Sequence, residues 1–259
     1  MNAGLFSQSA GNGPPVVLVH AGVADGRMWG PQVEALADRY RVVVPDLRGF
    51  GRSPIPDRPF AHAADLEALV SDLGIERAAW VGCSQGGTAA LDLALAAPEL
   101  VAALVLVDCA PSGYQITDPV TRAGWAAAGE AYEAHDFRRA AEIEMEMWLV
   151  GRDRDIKVVP RAMRELVVTM LLDSYEHGEG EEIDPERLAV DCLEETPVPT
   201  LVVSGAHDQP DFRDAAAMMA ARVPNAAHEV VGGAAHLPSL ERPVAFNELL
   251  AAFLEQQRA

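Results

Sequence analysis

Lysine is almost missing from this chain. Lys157 is the only one in 259 residues, and 20 Lys+Arg stand against 39 Asp+Glu for a formal charge of −19. So acidic a surface repels phosphate backbones and anionic lipid headgroups, and the arginines are scattered rather than clustered, which argues against a nucleic-acid partner. Long apolar runs are absent too: none approaches the roughly 18 residues a membrane helix needs, so no membrane partner is expected. The first basic residue is Arg27, so the N-terminus lacks the charged start of a secretory signal. Cysteine is scarce, and the odd set Cys83, Cys109 and Cys192 reads as reduced thiols in a cytoplasm. There are no repeats or low-complexity tracts, and 49% of residues are hydrophobic, which excludes intrinsic disorder.

What is present is an alternation. Short β-branched runs at Val16 to Val19, Val42 to Val44, Ala79 to Val81, Val101 to Val107, Leu201 to Val203 and Glu229 to Val231 read as strands. Helical patterns lie between them at about 31 to 38, 61 to 72, 85 to 97, 212 to 222 and 242 to 257. Near-continuous apolar strands separated by helices imply an α/β fold, a mostly parallel doubly wound sheet covered on both faces. Residues 112 to 190 break the rhythm, because no strand pattern occurs there and a crossover needs only about 10 to 12 residues. This stretch is expected to be a helical lid inserted between two strands, with helix starts at Asp118-Pro119, Asp136 and Pro160. The core then comprises residues 1–111 and 191–259. The acidic run from Glu176 to Glu186 carries no paired histidines and is expected to be a solvated loop rather than a metal site.

One constellation carries chemistry. The strand ending at Val81 runs into Gly82-Cys83-Ser84-Gln85-Gly86 and then a helix, the G-x-S-x-G pattern in its strand–turn–helix context. Such a turn is so tight that Ser84 must take a strained backbone conformation, and side chains at Gly82 or Gly86 would collide with neighbouring elements. Asp208 and His236 follow the next two strands of the second half, where open α/β sheets place their ligands. In that order Ser84 is the candidate nucleophile, His236 the base that takes its proton, and Asp208 the group that fixes the imidazole tautomer. Asp108, also just past a strand, is the alternative acid. Cys83 is expected to be a buried small hydrophobe and Arg48 to serve a turn or ion pair.

These motifs resemble the α/β-hydrolase fold family across nearly the whole chain. The loop His20-Ala21-Gly22 is similar to the family's oxyanion motif, with Ala21 where glycine is usual. The resemblance implies an oxyanion hole from the backbone N–H groups of Gly22 and Gln85, with Val23 as a substitute for Gly22. It also implies no metal and no organic cofactor. Asp25-Gly26-Arg27-Met28-Trp29 looks most like the subgroup of 3-oxoadipate enol-lactonases and small carboxylesterases. That subgroup implies cleavage of a small-molecule carboxylic ester or lactone through an acyl-enzyme. A C–C bond hydrolase or cofactor-free haloperoxidase/perhydrolase would use the same triad, and a non-catalytic small-molecule receptor would keep only the pocket. Only Met1 to Pro15 precede the first predicted strand where the family often has two strands, so the expectation is either one edge strand missing or a late start site. In the inserted segment Trp125, Met145 and Trp148 are candidate substrate contacts. The segment holds 17 Asp+Glu against 9 Lys+Arg, which favours neutral over anionic substrates. An enol-lactonase substrate bears a carboxylate and would need a dedicated arginine, yet Arg122, Arg138, Arg139, Arg161 and Arg164 are expected to be ion-paired on the surface.

Overall fold

The computed structural model describes residues 4–178 and 180–257. In chain order, β1 (Ser7–Ala10), β2 (Pro15–Val19), α1 (Gly30–Leu36), β3 (Arg41–Pro45), α2 (His62–Asp72), β4 (Ala78–Cys83), α3 (Gln85–Ala96) and β5 (Val101–Val107) form the first half. Helices α4 (Pro119–Glu133), α5 (Phe137–Met145) and α6 (Arg161–Tyr175) follow, with a π-helical turn at Glu146–Val150. The second half is β6 (Thr200–Gly205), α7 (Pro210–Arg222), β7 (Ala227–Val231), α8 (Pro238–Glu241) and α9 (Pro243–Gln256). The seven strands form one sheet in the order β1-β3-β2-β4-β5-β6-β7, parallel except for β1.

Side chains alternate across this sheet as the strand period of two requires. Val16 and Leu18 join a core that includes Leu36, Phe246 and Leu250 of α1 and α9, whereas Val17 and Val19 join another that includes Leu66, Leu91 and Met219 of α2, α3 and α7. Both faces are therefore covered, and the strands are apolar throughout because neither face meets water. Among the described residues the segment between β5 and β6 contains no strand, and its helix α6 contributes Val167, Val168, Met170 and Leu171 to the first of these cores. Asp118 and Asp136 cap α4 and α5 by accepting from Thr121 and Arg139 N–H, and Pro160 precedes α6.

Of the two strands the family often has before β2, the described residues hold one. Ser7–Ala10 pairs antiparallel with β3, Ser7 lying opposite Pro45. Its sequence, Ser-Gln-Ser-Ala, has no apolar alternation because both of its faces are at least partly exposed. A single antiparallel edge strand needs only backbone pairing, which leaves no side-chain signature.

Arg48, just past β3, is buried and forms a bidentate ion pair with Asp65 of α2, Nε to Oδ2 at 2.8 Å and Nη2 to Oδ1 at 2.9 Å. This ties the loop after β3 to the second helical layer. Removing Asp65 takes the bidentate acceptor from a buried guanidinium. Asp65→Ala is expected to lower stability by roughly 3 kcal/mol in urea unfolding, and Asp65→Ala combined with Arg48→Met is expected to lose less than the single variant. Equal or greater loss in the double variant would overturn this account.

Candidate active site

Ser84 ends the turn after β4 with φ +51 and ψ −120, a conformation that costs an L residue about 1–3 kcal/mol. The packing enforces it. A Cβ on Gly82 would lie 2.3 Å from the Gly86 carbonyl oxygen, and one on Gly86 would lie 2.5 Å from the His20 carbonyl oxygen. Only glycine lets β4, α3 and the loop after β2 approach so closely. The Ser84 N–H donates to the Val107 carbonyl of β5 at 2.8 Å, which pins the turn to the neighbouring strand. Ser84 itself is half-buried and lines a cavity of about 560 Å³.

Asp208 and His236 come together. His236 Nδ1 donates to Asp208 Oδ2 at 2.8 Å, and both side chains are almost wholly buried. The other carboxylate oxygen accepts the Gln209 N–H at 2.7 Å. This arrangement fixes the imidazole tautomer, leaving Nε2 as the basic nitrogen. Burial disfavours charge on both partners: it pushes the Asp208 carboxyl up and pushes His236 down to about 4. The rings of Trp148 and Phe212 stand 4.5 and 4.8 Å from the His236 ring, centroid to centroid. Cys83 donates its thiol proton to the His236 carbonyl at 3.5 Å, and burial raises its pKa. Like Cys109 and Cys192 it is a free, buried thiol.

Asp108 sits beside this pair. Its carboxylate, Asp208 and His236 present ligand atoms that all lie within 4.8 Å of one another. That spacing would suit a metal ion, but Asp208 Oδ2 and His236 Nδ1 share a proton at 2.8 Å, whereas tetrahedral ligands on bonds of about 2.1 Å stand roughly 3.4 Å apart.

The Gly22 and Gln85 N–H groups donate to no acceptor among the described residues. The two residues are neighbours, since a Cβ on Gly22 would lie 2.7 Å from Gln85 Oε1. The loop that carries Gly22 is held by His20, whose Nε2 accepts the Leu47 N–H at 2.8 Å while Nδ1 donates to the Ala21 carbonyl at 2.8 Å. A ring with one donor and one acceptor so placed is neutral, and burial lowers its pKa.

A second cavity of about 430 Å³ shares His62, Gln85 and Glu182 with the one at Ser84. Those three residues meet between the cavities. Gln85 Nε2 lies 3.0 Å from His62 Nε2 and 3.5 Å from Glu182 Oε2. Sequence reasoning missed His62 and the Gln85 side chain, because one histidine at a helix start carries no pattern. It also took the acidic run for a solvated loop. The structure corrects this in part: Phe60 N–H donates to the Glu181 carbonyl, Ile183 N–H donates to the Phe60 carbonyl, and the Glu182 carboxylate faces the site. A third cavity of about 520 Å³, against β1 and β3, is lined by none of the candidate residues.

Of the candidate substrate contacts, Trp125 lines the cavity of about 430 Å³. Val23, Met145 and Trp148 are buried in the core, Trp148 against His236. None of Arg122, Arg138, Arg139, Arg161 and Arg164 lines either cavity at the site, whereas Glu67, Asp92, Glu144, Glu182, Asp184 and Glu186 do. Among the described residues lining them Arg48 is the one cation, and it is held by Asp65.

The family model for the alpha/beta hydrolase fold matches residues 14–243. The chain is similar to the pimeloyl-[acyl-carrier protein] methyl ester esterase of Pectobacterium atrosepticum, 30% identical over 261 residues that cover 98% of this chain and 99% of that protein. Among solved structures it is similar to Est816, an N-acyl homoserine lactone degrading enzyme, with 27% identity, a TM-score of 0.77 and 96% of each chain covered. It is also similar to the enol-lactonase of Burkholderia xenovorans LB400, with 25% identity, a TM-score of 0.78, and 97% and 96% of the two chains covered.

His62 is buried, its Nδ1 has no hydrogen-bond partner among the described residues, and burial lowers its pKa from 6.5 to about 4. The unfolded chain therefore binds this proton first, and stability is lost as pH falls from about 6.5 toward 4. At pH 5 the loss is roughly 2 kcal/mol relative to neutral pH. His62→Gln removes this component. The wild-type advantage over the variant in urea unfolding is expected to shrink by about that amount between pH 8 and pH 5. A pH-independent difference would show that His62 titrates as it does in the unfolded chain.

Proposed function

The chain belongs to the alpha/beta hydrolase fold family, and we propose that this hydrolase cleaves neutral carboxylic esters or simple lactones through an acyl-enzyme on Ser84. The observation that carries the reading is the buried His236–Asp208 hydrogen bond of 2.8 Å together with a serine held at a strained turn that lines a cavity, the preceding Cys83 touching the His236 carbonyl. In this reading His236 Nε2 takes the Ser84 Oγ proton as Oγ attacks the substrate carbonyl carbon. Asp208 stabilises the imidazolium that forms. The carbonyl oxygen becomes an oxyanion held by the Gly22 and Gln85 N–H groups, aided by the N-terminus of α3. His236 then gives its proton to the departing alkoxide. Water, deprotonated by the same imidazole, attacks the acyl-enzyme and frees the acid.

Residues 112–190 are the cap over this site. The charge of the cavities supports a neutral substrate: their six carboxylates face one cation, and that cation is already paired. The esterase and lactone-degrading activities named for the relatives support an ester or lactone, and the similarity to an enol-lactonase supplies the competing carboxylate-bearing class.

Two measurements test this. Ser84→Ala is expected to lower kcat by about 10⁴ to 10⁶ on a p-nitrophenyl ester, and a fluorophosphonate probe should add its mass to Ser84 of the wild-type enzyme. Retention of more than about a tenth of the activity, against the loss expected for a triad serine, would sink the mechanism. The second concerns substrate charge. A short neutral ester is expected to show kcat/KM at least about tenfold above that of a matched ester with a free carboxylate at moderate ionic strength. The opposite preference would return the enol-lactonase reading to first place.

A further inference from the structure

Asp108 is not needed by the mechanism just given, yet it is fully buried beside it. Its backbone is held at φ +41 by an N–H bond to the Val203 carbonyl at 2.9 Å. Both of its carboxylate oxygens are near the Gly205 N–H, at 2.9 and 3.0 Å, and this is its one N–H donor among the described residues. Asp208, within 4.8 Å, has a separate N–H donor on each oxygen. Two carboxylates this close, away from water and facing one neutral imidazole, cannot both ionise, because a like charge in a dry site raises the cost of the second. The remaining groups around them do not relieve this. Cys83 is a buried thiol, Glu241 is a further acid already paired with Arg154, and Arg213 acts on Asp208 without a hydrogen bond.

We propose that Asp108 is held as a neutral carboxylic acid whose O–H donates to Asp208, making it a positioning residue for the His236–Asp208 pair. The proton resides on Asp108 because Asp208 has two N–H donors to stabilise its charge and Asp108 shares one. Burial raises both groups, while the bond between them lowers Asp208 and raises Asp108 further. Asp208 then holds three donors that fix the plane of its carboxylate, and the pair presents one negative charge to the imidazolium. The inference rests on reading Asp208 and His236 as acid and base of the proposed site.

Asn is a neutral isostere that keeps both a donor toward Asp208 and an acceptor for Gly205. Asp108→Asn is expected to lower kcat less than about tenfold and to leave the acid limb of kcat/KM in place. Asp108→Ala lacks the donor and is expected to lower kcat by about a hundredfold or more, with KM within about twofold of wild type. An acid limb displaced toward lower pH by about a unit in Asp108→Asn would mean that a negative charge had been removed from beside His236, and would overturn the proposal. Equal damage from the two substitutions in folded protein would overturn it as well. Should Asp108→Ala not fold, infrared spectroscopy at neutral pH decides. The wild-type spectrum should contain a protonated carboxyl C=O stretch that Asp108→Asn lacks, and identical spectra in that region would exclude the neutral acid. This readout needs no turnover, so it stands or falls separately from the ester-hydrolase reading.

Discussion

The site depends on a parallel ladder that runs one step past its strands. Ser84 N–H donates to the last carbonyl of β5, Asp108 N–H to Val203 of β6, and Ala206 N–H to Val231 of β7. Each bond is a rung of the kind that pairs the strands themselves, set by the first residues of the following loop. Parallel strands carry all their carboxyl ends to one rim. The extra rungs therefore fix residues 84, 108 and 206 along one rim although 122 positions separate the first from the last in the sequence. Loop conformation at this rim is fixed by backbone pairing and by glycines that admit close approach, and side-chain contacts come second.

Gathering acids on a dry rim has a cost that the surrounding groups must offset. Asp108, Asp208, His236 and Glu241 are all buried, and burial disfavours the charged form of each. Glu241 is offset by Arg154, by the Ala235 N–H at 2.8 Å and by the more distant Leu237 N–H. That clamp holds the turn bearing His236 from behind. The imidazole, pressed between Trp148 and Phe212, stays neutral until chemistry requires otherwise. A neutral base beside a single stabilised carboxylate is what proton transfer from a serine needs at ordinary pH.

The sheet was legible because its signals are local. Apolar runs, the glycines around Ser84 and prolines at helix starts each act within a few residues, and the order Ser84, Asp208, His236 follows from where strands end. Asp108 was visible as a residue after a strand, but its nearness to Asp208 depends on the β5–β6 pairing, which no local pattern encodes. The meeting of His62, Gln85 and Glu182 was illegible for the same reason, since its members come from α2, α3 and the chain returning from the insertion. Trp148 offered an aromatic in a helical segment. Only packing decides that its ring lies on His236 instead of on a cavity wall.

That packing makes the insertion more than a cover. The carbonyl of Trp148 accepts the His236 N–H at 3.1 Å, and the carbonyl of Met147 accepts from the Gln209 side chain at 2.6 Å. Arg152 binds Gln209 Oε1 at 2.7 Å and pairs with Asp118, the cap of α4. Arg154 neutralises Glu241, and Glu182 faces Gln85. The π-helical turn at Glu146–Val150 thus presents backbone carbonyls to the loops of both Asp208 and His236. Met147 and Trp148 lie in the last turn of this helix, whose carbonyls have no partner further along it, and π turns are frequent at functional sites. The inserted segment therefore holds Asp208 and His236 in register. Substitutions that reshape residues 146–154 therefore also shift the loops that carry Asp208 and His236, because the same backbone carbonyls and arginines hold both.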